Sequence, residues 1–484
     1  MSSNQDTISD INTKTKSGFL WILVINILAA PVQFLISLTL GRISPELLGK
    51  YGFLEILLNL VITIGMFGGP NLMIKYIPSL KVKEIPFFIS KYIKQSLLLL
   101  LGVFSIIWFL DVFKLIDLGG LLGDNTPPVS MYKWIVLWSV LYLTYYILNS
   151  SQSAILQLKD FAIASKLYFF LLFFFLIIFY YLGVKSWHLI FYSSTVAIVF
   201  CIIFILSKNF KSFLIFNTKE YSFPSGFWRY SITMYLSTFL TFLYEKLDQI
   251  IILMVFDLKF LGIYFGIMKV AFISKLIPQI INRGLISSLS NLIHLNAIDE
   301  IRVYYRKIIS ANYLICTLIS IVLIVFSNFI LELFGSVFAD YKLILLLFII
   351  TAFIDFYETL NTNILILKGE DKKVFINTVF KNISFLVSAY FLLPIFNLEG
   401  LVLSRIISLI IGVIYTRYNL NKVSYHFNYS IKTLVLIVLI ILLYMISSYS
   451  VTYKIIFSLT SIIIVTLMNK KDIVNILKNI PIWK

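Results

Sequence analysis

Cysteine is almost absent from this sequence. Cys201 and Cys316 lie far apart, both inside apolar stretches, which argues against a disulfide framework or a thiolate metal site. Histidine is nearly as scarce: His188, His294 and His426 are scattered near the ends of apolar runs and read as surface residues, so no metal site is expected. Charge is the third shortage. Only 13% of the 484 residues are charged against 60% hydrophobic, with 44 Phe and 29 Tyr, a balance that excludes a soluble globular protein. No Gly-Lys-Ser/Thr completes a phosphate loop, no Asp-x-Asp metal motif occurs, and no polar loop is long enough for a catalytic domain. An enzyme and a cofactor are therefore not expected.

What is present is apolar sequence in lengths that cross a bilayer. At roughly 20 residues per span the chain reads as an all-α, polytopic membrane protein of about 14 transmembrane helices. They fall at 18–40, 46–69, 87–110, 132–155, 162–183, 187–207, 226–255, 260–282, 308–331, 343–367, 374–395, 398–418, 431–450 and 452–468. Residues 1–17 are polar and mixed in charge and the first apolar run is full length, so that run is expected to stay as a span rather than be cleaved as a signal.

The net charge of +17 is an orientation signal rather than a nucleic-acid one. With the loops numbered alternately, 28 of the 40 basic residues fall on the side of the N-terminus and eight on the other (Arg42, Lys50, Lys114, Lys133, Lys185, Lys259, Lys342 and Lys454), four lying within spans. The positive-inside rule then makes both termini cytoplasmic.

The stretch Leu40-Gly-Arg-Ile-Ser-Pro-Glu-Leu-Leu-Gly-Lys-Tyr-Gly-Phe53 is a membrane hairpin between the first two spans. Ser44 is placed to cap the second helix and Pro45 suits its first position, where the missing N–H costs nothing. Leu48-Gly49-Lys50-Tyr51 is echoed by Leu261-Gly262-Ile263-Tyr264 at a second hairpin, which hints at an internal duplication. Gly65-Met-Phe-Gly-Gly-Pro70 marks a break or a close helix packing at the end of the second span. Residues 111–131 form the longest external loop and 208–225 a polar cytoplasmic linker; 283–307 carry the eighth helix into the cytoplasm as a solvated segment. The expected organisation is an N-terminal six-helix bundle at 1–207, a linker at 208–225, a second six-helix bundle at 226–420, and two additional helices with a tail at 421–484.

Nine of the charges that fall within spans are read as intramembrane, where each costs at least about 2.5 to 3.5 kcal/mol unless it faces water or a partner: Lys246, Lys269, Lys275, Arg405, Glu55, Glu245, Asp248, Asp355 and Glu358. Lys269, Lys275 and Arg405 have no carboxylate three or four residues away on their own helices, so compensation comes from another helix or from an anionic substrate in a cavity. Lys275 and Gln279 share one helix face. Glu245 with Asp248, and Asp355 with Glu358, are carboxylate pairs at i,i+3; a proton, a sodium ion or a basic residue from elsewhere is needed to relieve their repulsion.

The helix count, the six-plus-six division, the 40–53 hairpin and the Asp248…Leu261-Gly-Ile-Tyr264 stretch resemble the polysaccharide-transporter branch of the multidrug/oligosaccharidyl-lipid/polysaccharide exporter superfamily, and within it bacterial O-antigen or capsule repeat-unit flippases. The resemblance implies two six-helix bundles around a central cavity. They would move an undecaprenyl-pyrophosphate-linked oligosaccharide across the bacterial inner membrane, in lipopolysaccharide or capsule biosynthesis, with a polysaccharide polymerase complex as a further partner. Substrate contacts are then expected at Lys269, Lys275, Arg405, Gln279, Asn149 and Gln152, with Tyr244, Tyr357 and Asn361 also suited to sugars. Acids in helices seven and ten serve coupling in the cation-coupled exporters of the superfamily, which points to Glu245, Asp248, Asp355 and Glu358 for a proton or sodium ion. A cation-coupled small-molecule or drug exporter is the alternative.

Overall fold

Without water to pair them, backbone amides in a bilayer must bond within their own segment, so apolar runs of this length have one outcome. In the structure, a computed structural model describing residues 2–113, 125, 127–213, 221–294 and 298–422 with Ile441, Met445 and Thr460 singly, every regular element is a helix. The chain is a multi-pass membrane protein. Among the described residues eight helices are long and apolar enough to span by themselves, and the pair Ile315–Val325 and Ser327–Phe334, bent by 69°, is apolar enough to make a ninth if it crosses as one. Each of the first twelve expected spans falls on a helix. The last two, 431–450 and 452–468, lie outside the described residues apart from single positions.

Two compact units divide the chain, Met1–Gly262 and Ile263–Lys484. The first holds α1 (Ser2–Ile43), α2 (Pro45–Gly65), α3 (Pro70–Tyr76), α4 (Ile85–Val112), α5 (Tyr132–Ala154), α6 (Leu158–Tyr181), α7 (Ser186–Phe213), α8 (Phe227–Val255) and the first turn of α9 (Leu258–His294). Ser44 caps α2 as its chemistry suggests: its extended backbone lets the hydroxyl accept from the Leu47 amide at 3.0 Å, and Pro45 follows at the first helical position. The glycine-rich break is real. Gly68 and Gly69 take φ of 109° and 69°, a region side chains avoid, and separate α2 from α3. Helix α8, expected to open the second bundle, packs here on α2 through Phe67 against Trp228 and Tyr235, with ring centroids 6.3 and 5.0 Å apart.

The two copies of the Leu-Gly repeat meet. A Cβ added at Gly49 would collide with the carbonyl oxygen of Leu258, and one added at Gly262 with that of Pro45, four residues before its counterpart in each case. Only glycine permits backbones this close, and such contact substitutes for the hydrophobic drive that lipid removes. Asn125, from the loop between α4 and α5, donates to the carbonyls of Leu253 and Phe256 at 2.9 and 2.7 Å and accepts from the Leu258 amide at 2.9 Å, fastening the turn between α8 and α9.

The second unit continues α9 and adds α10 (Ile298–Val325), α11 (Ser327–Phe334), α12 (Ser336–Ala339), α13 (Lys342–Leu367) and α14 (Asp371–Lys422). The expected single span at 308–331 is bent at Phe326, whose φ and ψ of −95° and 15° interrupt the helix. Helix α14 is two arms that break at Asn397 (φ 49°, ψ −129°), where the sequence left its gap between 395 and 398. Tyr305, Ile308, Phe356, Leu360, Ile364 and Leu420 form the apolar core on which α10, α13 and the second arm of α14 converge.

A charged cluster in the second unit as candidate functional site

Helix α13 brings Asp355 and Glu358 into the interior one turn apart, and each meets an ammonium from another helix. Lys275, on α9, places Nζ 3.0 Å from Asp355 Oδ2, with 26% and 30% of the two side chains exposed. Lys381, on the first arm of α14, places Nζ 3.1 Å from Glu358 Oε1, with only 9% and 7% exposed. Glu358 Oε1 also accepts from Asn377 Nδ2 at 2.6 Å and from Thr362 Oγ1 at 3.1 Å. Arg405, half-buried on the second arm, is near enough for its charge, with that of Lys381, to bear on Asp355.

Local sequence explains how a lysine is admitted to this interior. A Cβ at Gly412 would stand 2.8 Å from Lys381 Cδ, so the glycine leaves room for the lysine stem where the two arms of α14 face each other. Ser408 donates to the Lys381 carbonyl at 2.8 Å and holds the arms in register. Beside it, Tyr305 Oη donates to Asn361 Oδ1 at 2.8 Å and Asn361 Nδ2 donates to Thr416 Oγ1 at 3.2 Å, a buried relay joining α10, α13 and α14. Buried polar groups need such partners, because leaving one unmatched costs about 1–3 kcal/mol.

Three basic groups, Lys275, Lys381 and Arg405, gather about the two carboxylates Asp355 and Glu358. The two ion pairs differ in exposure. Glu358 is enclosed with three donors, whereas the Lys275–Asp355 pair stays partly open and is the one that an arriving ion or anion can exchange. Lys269 stands two turns before Lys275 with Nζ 4.7 Å from the ring centre of Phe265 on its own helix.

The remaining sequence candidates lie elsewhere. The side chain of Gln279 is outside the described residues. Asn149 and Gln152 belong to the first unit, on α5, where they are 4% and 0% exposed; among the described residues the Gln152 amide and Asn149 Oδ1 have no hydrogen-bond partner. Glu245 and Asp248 are also in the first unit, and the helix separates them: Glu245 is exposed and Asp248 is 0% exposed, accepting from the Gln249 amide at 2.9 Å. Tyr244 and Tyr357 are buried, and the ring of Tyr357 lies 5.2 Å from that of Tyr313. Lys381 is the functional candidate the sequence reading passed over, since it was counted with the cytoplasmic basic residues although it falls inside the span 374–395. The signal was its position within that span, with Asn377 one turn before it.

No protein-family model matches the chain, and no curated protein does. Solved structures do. The lipid II flippase MurJ, in an inward closed conformation, aligns with a TM-score of 0.71 over 94% of this chain and 100% of its own at 12% identity. An inward-facing multidrug resistance MATE family transporter of the MOP superfamily gives 0.66 over 84% and 99%, also at 12% identity. A MOP superfamily transporter from Pyrococcus furiosus, described as having a binding pocket of reverse polarity, gives 0.53 over 84% and 96% at 13%. At these identities the likeness is one of fold: this chain is folded like the MurJ and MATE transporters over most of its length.

Proposed function

We propose that this protein is a flippase for an anionic lipid-linked oligosaccharide, an undecaprenyl-pyrophosphate-linked O-antigen or capsule repeat unit, moved across the bacterial inner membrane by alternating access. Both termini are cytoplasmic in this reading, on the 28 to 8 division of basic residues. The observation that carries it is the gathering of three basic groups, Lys275, Lys381 and Arg405, about Asp355 and Glu358. A cation-selective pocket has no use for three basic groups at its acids, whereas a diphosphate does: Arg supplies a planar fork for two of its oxygens and Lys a point charge. The fold likeness to a lipid II flippase supports the same substrate class.

Coupling to a proton or a sodium ion is assigned to four of the acids in spans, Glu245, Asp248, Asp355 and Glu358. Exposure ranks Asp355 above Glu358, since Lys275 is the easier ammonium to displace. The test is transport in cells and vesicles. Lys275→Gln with Arg405→Gln is expected to abolish surface polysaccharide while the protein still inserts, and Lys259→Gln, at an exposed position outside the cluster, to leave it unchanged. Export at the wild-type rate by the double variant overturns the reading. A cation-coupled small-molecule exporter is the second reading, favoured by the fully buried Asp248; loss of cationic dye efflux on deletion, with surface polysaccharide intact, selects it.

A further inference from the structure

At the Ile43 end of the first unit, α1, α6 and α7 enclose a groove of about 610 Å³. Ile36, Leu40, Phe173 and Ile177 form its walls, and Arg42 and Tyr180 stand among its lining residues toward the helix ends. Tyr180 is 44% and Tyr181 83% exposed. The neighbouring turns gather further cations. Lys50 Nζ donates to Ser186 Oγ at 2.8 Å, tying the α1–α2 turn to the α6–α7 turn, and Lys185 is the exposed residue before that serine. Glu46, 2.6 Å from Lys50, offsets only one of the three charges. This corner is therefore rich in cations on a face where the loops carry eight basic residues in all.

We propose that the groove holds one acyl chain of an anionic phospholipid of the bilayer, with its phosphate received by Arg42 and Lys185. The apolar wall by itself selects nothing, because lipid tails are as apolar as leucine and every tail matches it equally well. Selection falls on the headgroup, where a guanidinium donates to two phosphate oxygens and tyrosines suit the interfacial depth. Residues 36–43 of α1 run for about 10 Å at 1.5 Å per residue. That suits much of one acyl chain in a leaflet about 15 Å deep, and a polyprenyl chain would outrun it. The placement uses only the outward orientation of this end and is independent of the transported substrate.

Native mass spectrometry of the full-length protein in detergent tests this, with phosphatidylglycerol, phosphatidylcholine and undecaprenyl phosphate titrated in turn. Wild type is expected to retain phosphatidylglycerol over phosphatidylcholine. Arg42→Gln and Lys185→Gln should each reduce that preference about fivefold, Ile177→Trp should fill the groove and remove retention, and Lys259→Gln should change nothing. Equal retention by Arg42→Gln and wild type overturns the proposal, as does tighter retention of undecaprenyl phosphate, which gives the groove to a polyprenyl chain. A disulfide between cysteines introduced at Ile177 and Ile441 overturns it as well, because the C-terminal segment would then occupy the groove.

Discussion

Replacing Lys381 with methionine removes the ammonium and keeps most of the stem volume beside Gly412. Glu358 then keeps Asn377 and Thr362 as donors but loses its only ammonium partner among the described side chains, in a site where 7% of its side chain is exposed. Breaking a buried pair on one side costs about 3–5 kcal/mol, since an uncompensated charge stays behind. Lys381→Met is therefore expected to melt well below wild type at pH 7.5. Adding Glu358→Gln should restore stability, because the buried charge is gone. Thermal melting of the purified full-length protein in detergent, followed by size-exclusion chromatography, reads wild type and both variants. If Lys381→Met melts with wild type at pH 7.5, or the double variant is no better than the single, the buried pair does not hold α13 to α14.

Two further outcomes follow from the geometry. Gly49→Ala and Gly262→Ala each place a methyl group against a backbone carbonyl that no rotamer change can move, so each should lower stability by about 1–3 kcal/mol; an unchanged melting temperature for both would refute the close crossing. On the proposed topology, a cysteine introduced at Gly120 should react with an impermeant reagent added to intact cells and one at Ser290 should not, and the reverse pattern would invert the topology.

Much of the fold was legible because a bilayer leaves so few choices. Apolar runs of span length had to be helices, Ser44-Pro45 had to start one, and the polar gap near Asn397 had to separate two. The bend at Phe326 was not legible: neither proline nor glycine stands there, and a 69° turn between two apolar stretches leaves no mark in composition. The association of α8 with the first six helices was equally hidden, since a polar linker shows where the chain leaves the membrane and not which neighbours the next helix chooses. At the site, the sequence identified the charges by their cost in lipid, but pairing was out of reach. Lys275 and Asp355 are 80 residues apart, and spacing on one helix says nothing about an ion pair between two.

The pairing bears on how transport is driven. An anion that captures Lys275 releases Asp355 to bind a proton or sodium ion, and a cation that captures Asp355 releases Lys275 to bind an anion. Linkage then makes substrate and cation assist each other's binding at this pair, to the same extent in both directions. Co-binding of this kind carries both solutes the same way, whereas export driven by an inward cation gradient needs them to compete. In the empty protein Lys275 and Asp355 satisfy each other, so the cluster can return through the membrane interior without a passenger. In the proposed function, Asp355 on α13 therefore couples cation and substrate in the same direction, and antiport coupling falls to Glu245 and Asp248 on α8. A driving force remains without any coupling ion, because an inside-negative potential moves a negative charge outward with about 2.3 kcal/mol for every 100 mV. A diphosphate-linked substrate is therefore pushed in the direction the proposed function requires, and the basic groups of the cluster serve to lower the cost of its passage.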